Sequence, residues 1–160
     1  MFTKFYRTSY PPKKPTMVWD GECTFCKYWI TYWHSKTSNR IEYLTYQETA
    51  NNFADIPIKE FKKASRFIDI DGIVYSGPDS AFKILTYFNP SFPFWHKWYT
   101  KNNLFSKVCD YSYNWIAKHR SFMFAITKLF FGKNPQALKP YWLAIFFLIV
   151  ILTYLVVYFL

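Results

Sequence analysis

Only three cysteines occur in the 160 residues, and two of them, Cys23 and Cys26, share one CxxC motif. No second CxxC and no paired-histidine spacing accompanies them. A four-ligand zinc site would have to add two of Cys109, His34, His96 and His119, each isolated in the sequence. Acidic residues are scarce as well, 10 against 20 Lys and Arg, for a formal net charge of +10. That balance raises the question of nucleic acid. The cations are scattered, however, with no recognition helix or stacking motif, so no nucleic-acid partner is expected. Repeats and low-complexity tracts are absent. Residues 1–15 lack the continuous apolar run and small-residue cleavage site of a secretory signal.

Charge disappears altogether from residues 141–160, YWLAIFFLIVILTYLVVYFL, which also contain no Pro or Gly. At the rise of an α-helix, about 20 such residues cross the roughly 30 Å hydrocarbon core of a bilayer. A soluble core helix of that length would need a polar face. A single-pass membrane anchor is the expectation, with lipids as its partner. Lys128, Lys133 and Lys139 all precede it, and Tyr141 and Trp142 suit the headgroup level. By the positive-inside rule, the soluble part is expected on the cytoplasmic side. The excess positive charge fits attraction to anionic headgroups.

Ahead of the anchor, the pattern alternates between strand and helix signals. Residues 1–15 are Pro- and Lys-rich and read as extended or frayed. Thr16 to Trp19 predicts a strand, ended by the turn at Asp20-Gly21. From Cys23 the spacing of Cys26, Trp29, Ile30 and Trp33 predicts a helix that fades near Thr37 to Asn39. Arg40 to Thr45 alternates as a second strand. Residues 46–57 read as polar, and Ile58 to Ala64 as a short helix. Arg66 to Ile70, Asp71-Gly72 and Ile73 to Tyr75 predict a hairpin. Pro78 opens another helix with Ala81, Leu85 and Phe88 on its apolar face. A Trp-rich connection then leads to a helix over Leu104 to His119. The order implies a small α/β layer with mixed strand directions.

The cysteine pair stands where a strand, a tight turn and a helix start meet. Free N–H groups and the positive dipole end of a first helical turn favour a thiolate at Cys23. Cys26, one turn deeper, is placed to attack a mixed disulfide at Cys23. Gly21 shapes the turn. Asp20 and Glu22 oppose thiolate formation if ionised and close. Asp20 closes the turn or caps the helix, or else accepts a proton from Cys26. Half of a zinc site and plain packing remain open beside the reactive dithiol. Cys109, on a face with Phe105, Ser112 and Ile116, reads as a core thiol. His34, His119 and Arg120 sit at helix ends, where capping is the simpler role.

Asp20-Gly-Glu-Cys-Thr-Phe-Cys26, after the apolar Met17-Val-Trp19, resembles the signature of the DCC family, thioredoxin-like proteins named for an Asp and two Cys in DGxCxxC. Ile70-Asp-Gly-Ile-Val-Tyr75 resembles the family's hairpin. Ser76-Gly-Pro-Asp-Ser-Ala81 is similar to its Gly-x-x-x-Ala helix start, and Tyr113 to Arg120 to its closing Tyr…Arg segment. The resemblance covers about residues 15–120. It implies a thioredoxin-like α/β domain with a small mixed sheet, and a thiol–disulfide oxidoreductase activity that needs no cofactor or metal. Cys23, Cys26 and Asp20 are its catalytic candidates, and a protein or small-thiol disulfide its substrate. Two departures from thioredoxin stand out. Glu22, not Trp, precedes the first Cys, and no Pro stands before the strand at Phe67, Pro57 being too early.

The expected organisation is an extended segment over 1–15, the thioredoxin-like domain over 16–120, a basic aromatic juxtamembrane segment over 121–140 and a transmembrane helix over 141–160. The competing reading is a non-enzymatic, membrane-tethered interaction or metal-binding module.

Overall fold

Strand β1 (Thr16–Trp19) lies at the centre of the sheet because its residues are apolar or β-branched on both faces. In the computed structural model, which describes residues 1–159, it pairs in parallel with β2 (Glu42–Thr45). On its other side it pairs antiparallel with β3 (Arg66–Ile68), which pairs antiparallel with β4 (Val74–Ser76). The order β2-β1-β3-β4 is the mixed α/β sheet that the thioredoxin-like reading implied. Leu160, the last residue of the expected anchor, lies outside the described residues.

Helices cover both faces of this sheet. Met17 points to a core shared with Ile30, Ile41, Phe67 and Ile84, under α1 (Thr24–Thr37) and α4 (Pro78–Leu85). Val18 points the other way, to Tyr46, Ala50, Phe53, Ile56, Phe61, Ile68 and Val74. That second core belongs to α2 (Tyr46–Thr49), the 3-10 turn after it and α3 (Ile58–Lys63). Each fully buried side chain of this kind contributes about 1.5–3 kcal/mol. The segment 46–57 that reads as polar thus supplies one of the two cores. Tyr46, Ala50 and Phe53 stand at i, i+4 and i+7, a helical spacing masked by the polar residues between them.

Three further readings change. The first residues are extended but not frayed. Val74 N–H donates to Tyr6 O at 3.0 Å and Thr8 N–H to Gly72 O at 2.9 Å, so this segment covers the outer edge of β4. Gly77 has φ 60°, and a Cβ there would come within 2.6 Å of the Phe2 ring, which locks the segment down. Helix α4 buries Pro78, Ser80 and Ile84, leaves Ala81 and Leu85 only half-buried, and ends before the half-buried Phe88. The Trp-rich connection is a helix, α5 (Phe94–Lys101), whose Trp98 stacks on Phe105 at 4.1 Å between ring centres.

Helix α6 (Asn103–Lys118) follows, capped by the Asn102 side chain accepting from Phe105 N–H. Within the expected juxtamembrane segment lies α7 (Arg120–Phe131), which packs on α1: Trp29 meets Phe131 edge-on, and Tyr28 Oη donates to Gly132 O at 2.9 Å. The apolar α8 (Tyr141–Phe159) has no residue of its 18-residue span buried, and its length and hydropathy suffice to cross a membrane.

Candidate active site

Cys23 is the N-cap of α1, held there because its own N–H donates to Asp20 O at 3.1 Å and closes the turn after β1. Its sulfur accepts from Cys26 N–H at 3.1 Å. The two cysteines are joined as a disulfide, with Cα atoms 5.2 Å apart. In the reduced pair, the same N–H and the helix dipole favour a thiolate on Cys23. Cys23 is only 8% exposed, whereas Cys26 is half-buried and lines a cavity of about 80 Å³.

That cavity is mostly apolar. Trp19, Phe25, Trp29, Phe61 and Tyr113 wall it, drawn from β1, α1, α3 and α6. The indole Nε1 of Trp19 is buried with no hydrogen-bond partner among the described residues. Leaving such a donor unsatisfied costs roughly 1–3 kcal/mol.

Asp20 does not stand as a lone carboxylate. Arg120 Nη1 donates to its Oδ2 at 2.7 Å, and Gln47 Nε2 donates to its Oδ1 at 3.0 Å. Gln47 also accepts from Gly21 N–H at 3.1 Å, pinning the turn from α2. The guanidinium thus offsets the charge that would otherwise oppose a thiolate. Arg120, read as a capping residue, instead reaches 100 positions back along the chain; its other nitrogen donates to Lys62 O at 3.3 Å. Glu22 is exposed. Behind the turn, burial first and then the charges of Asp20 and Glu22 push the Tyr46 hydroxyl up, with Arg120 acting against them.

Gly21 is required by space. A Cβ there would come within 2.8 Å of Thr45 Cγ2, so the turn after β1 can lie against the end of β2 only without one. Its φ is outside the left-handed region, which differs from a role in backbone freedom.

Ser65 stands immediately before β3, where thioredoxins place a proline, and it lines the cavity beside Cys26. Its N–H donates to Tyr113 Oη at 3.1 Å, its C=O accepts from Gly77 N–H at 3.0 Å, and its hydroxyl meets Ser80 Oγ and Tyr113 Oη. Gly77, Ser80, Tyr113 and Arg120 all come from the stretches that resemble the family's helix start and closing segment. The fold gathers them around one cleft. Gln47, Ser65 and Trp19 carried no signal of their own in the sequence.

The remaining candidates lie elsewhere. Cys109 is half-buried on α6, its thiol pushed up by burial and then by Asp110. His34 is exposed at the end of α1. His96 Nδ1 lies 2.7 Å from Asp79 Oδ1. His119 joins α6 to α7, its ring 4.6 Å from that of Trp115. Among the described residues, no three His, Cys, Asp or Glu side chains converge to hold a metal. Compared with known proteins, residues 17–125 match the model of a family described as DCC1-like thiol-disulfide oxidoreductase. Neither the curated proteins nor the solved structures give a match.

Proposed function

We infer that this chain, which belongs to the DCC1-like thiol-disulfide oxidoreductase family, acts as a membrane-anchored disulfide reductase with Cys23 as nucleophile. The hydrogen bond from Cys26 N–H to Cys23 Sγ at the start of α1 carries this reading. The reduced Cys23 thiolate attacks one sulfur of a substrate disulfide, and the other substrate sulfur leaves as a thiolate that takes a proton. Cys26 then attacks Cys23 Sγ and loses its own proton. The Cys23–Cys26 bond forms, the second substrate thiol departs, and two electrons have passed to the substrate.

Asp20 and Arg120 act here as a positioning pair that fixes the turn and balances its charge. Because both backbone groups of Ser65 are engaged, a substrate docks through side chains in the aromatic cleft and not as an added strand. Helix α8 seats the domain at a bilayer on the cytoplasmic side, a reading supported by its apolar length and by Lys128, Lys133 and Lys139 before it.

Trapping under mild oxidation tests the chemistry. Cys26→Ser is expected to accumulate mixed disulfides through Cys23. Accumulation in Cys23→Ser instead reverses the two roles, and no linkage at either cysteine removes the enzymatic reading. For the topology, carbonate extraction and protease accessibility of intact membranes are the measurements; a chain that is extracted, or a domain shielded from cytoplasmic protease, defeats it.

A further inference from the structure

Helix α6 is turned the wrong way for water. Leu104, Val108, Tyr111 and Trp115 follow one another at helical spacing on its outer side, and Leu104 and Tyr111 are each 73% exposed. Exposed Lys107 and Lys118 flank that stripe. The one carboxylate of the helix, Asp110, is buried and ion-paired with Lys4. The stripe continues on α7, where Phe122 lies 6.4 Å from Trp115 between ring centres and Leu129 follows two turns later on the same face. Beyond it, α7 packs on α8, and Gly132 lies against the Tyr141 ring.

We propose that the outer face of α6 and α7 lies on an anionic lipid surface, the leaflet from which α8 enters the bilayer. This rests on the reading of α8 as a membrane anchor. An apolar stripe with Tyr and Trp, rimmed by lysines and without acidic residues, has the chemistry of an interfacial helix. Continuity with α8 selects lipid over a second protein. Tyr113, on the opposite side of α6, walls the dithiol cleft. Docking therefore holds the cleft about one helix diameter, roughly 10 Å, above the headgroups and selects substrates presented at the membrane.

The test uses the full chain in lipid nanodiscs, with an environment-sensitive nitrobenzoxadiazole label on Val108→Cys. Cys109 is replaced by Ser, and Cys23–Cys26 is kept as the disulfide. Discs of phosphatidylcholine alone are compared with discs half phosphatidylglycerol, and Asn51→Cys, exposed on the 3-10 turn after α2, is the control site. The expected result is a blue shift with rising intensity at position 108 only, in the anionic discs, and its loss with Lys107→Glu plus Lys118→Glu. A chain that stays in the discs with no shift at 108 overturns the proposal and leaves the anchor standing. A chain that leaves the discs overturns both. An equal shift in neutral discs overturns the anionic requirement, and a concentration-dependent shift in detergent assigns the face to a second copy instead.

Discussion

Glu60 with Arg66, 3.7 Å apart in the interior, and Asp20 with Arg120, 2.7 Å apart at the cleft, each join a carboxylate to a guanidinium in opposite environments. Arg66 is fully buried in β3. It donates to Glu60 O and to Ser76 Oγ, and it lies over the Phe5 ring at 5.0 Å. Glu60 is held in turn by Lys63 at 2.7 Å and by Thr3 N–H at 3.0 Å. All these partners lie in the N-terminal segment or within the α3–β4 stretch. Asp20 and Arg120 are half-buried at the rim of the cleft and tie α7 to the turn that bears the cysteines. A fully buried pair cannot lose one member without leaving the other stranded, so it governs stability. A rim pair is screened by water and contributes little to stability, yet it sits on the turn that carries the cysteines.

Breaking the buried pair gives the largest expected effect. Glu60→Ala is expected to lower stability by about 3–5 kcal/mol, read as a shift in the denaturant midpoint. Glu60→Leu with Arg66→Met should cost less than the single change, because it leaves no stranded charge. A result in the reverse order would show that the pair is not what binds this region.

Acid should act on the buried pair through Glu60. Burial raises the Glu60 carboxyl, but the hydrogen bonds from Lys63 and Thr3 and the Lys63 charge outweigh it, and the carboxyl is lowered to about 2 from its ordinary 4.5. Since the folded-state value is the lower one, its stabilisation is complete above about pH 4.5 and is lost as pH falls through about 2. In Glu60→Gln the stability measured between those values should flatten; an unchanged acid limb would contradict the assignment.

Crowding at the turn ranks next. Gly21→Ala is expected to cost roughly 1–3 kcal/mol through contact with Thr45, and Thr45→Ser, which removes the nearest carbon, should restore part of it. Thermal unfolding of the single and double variants reads the difference.

The rim pair gives the smallest change in stability and the one most specific to the chemistry. Arg120→Ala should shift stability by about 1 kcal/mol or less, while slowing alkylation of the reduced Cys23 by roughly threefold, because Asp20 is then left uncompensated. Asp20→Asn should act in the opposite sense and Arg120→Lys should restore most of the rate. Equal loss of stability in the Glu60 and Arg120 variants would erase the distinction drawn between the pairs.

How much of this was legible beforehand follows a physical divide. The strand at Thr16 to Trp19, the helix from Cys23 and the hairpin around Asp71-Gly72 came from neighbours in sequence, whose propensities and spacing act locally. The core residues Tyr46, Phe53 and Ile56 did not, because the polar residues between them mask their helical spacing and the cluster that buries them draws on β1, α3, β3 and β4. Arg120 is legible as a helix end and as part of the closing Tyr…Arg segment, but its partner Asp20 appears only when α7 folds back on α1. On α6 the spacing of the exposed stripe is as regular as that of any buried face, and periodicity marks an apolar side without saying what covers it.

By itself, the sequence determined a dithiol at a strand–turn–helix junction and an apolar helix after it, since both depend on residues within a few turns of one another. Tertiary structure alone decided that Arg120 neutralises Asp20, that Ser65 with occupied backbone groups faces Cys26, and that the apolar side of α6 looks outward. Each of these depends on how separate helices pack across the sheet, and that geometry is fixed by burial summed over the whole chain, not by spacing along it.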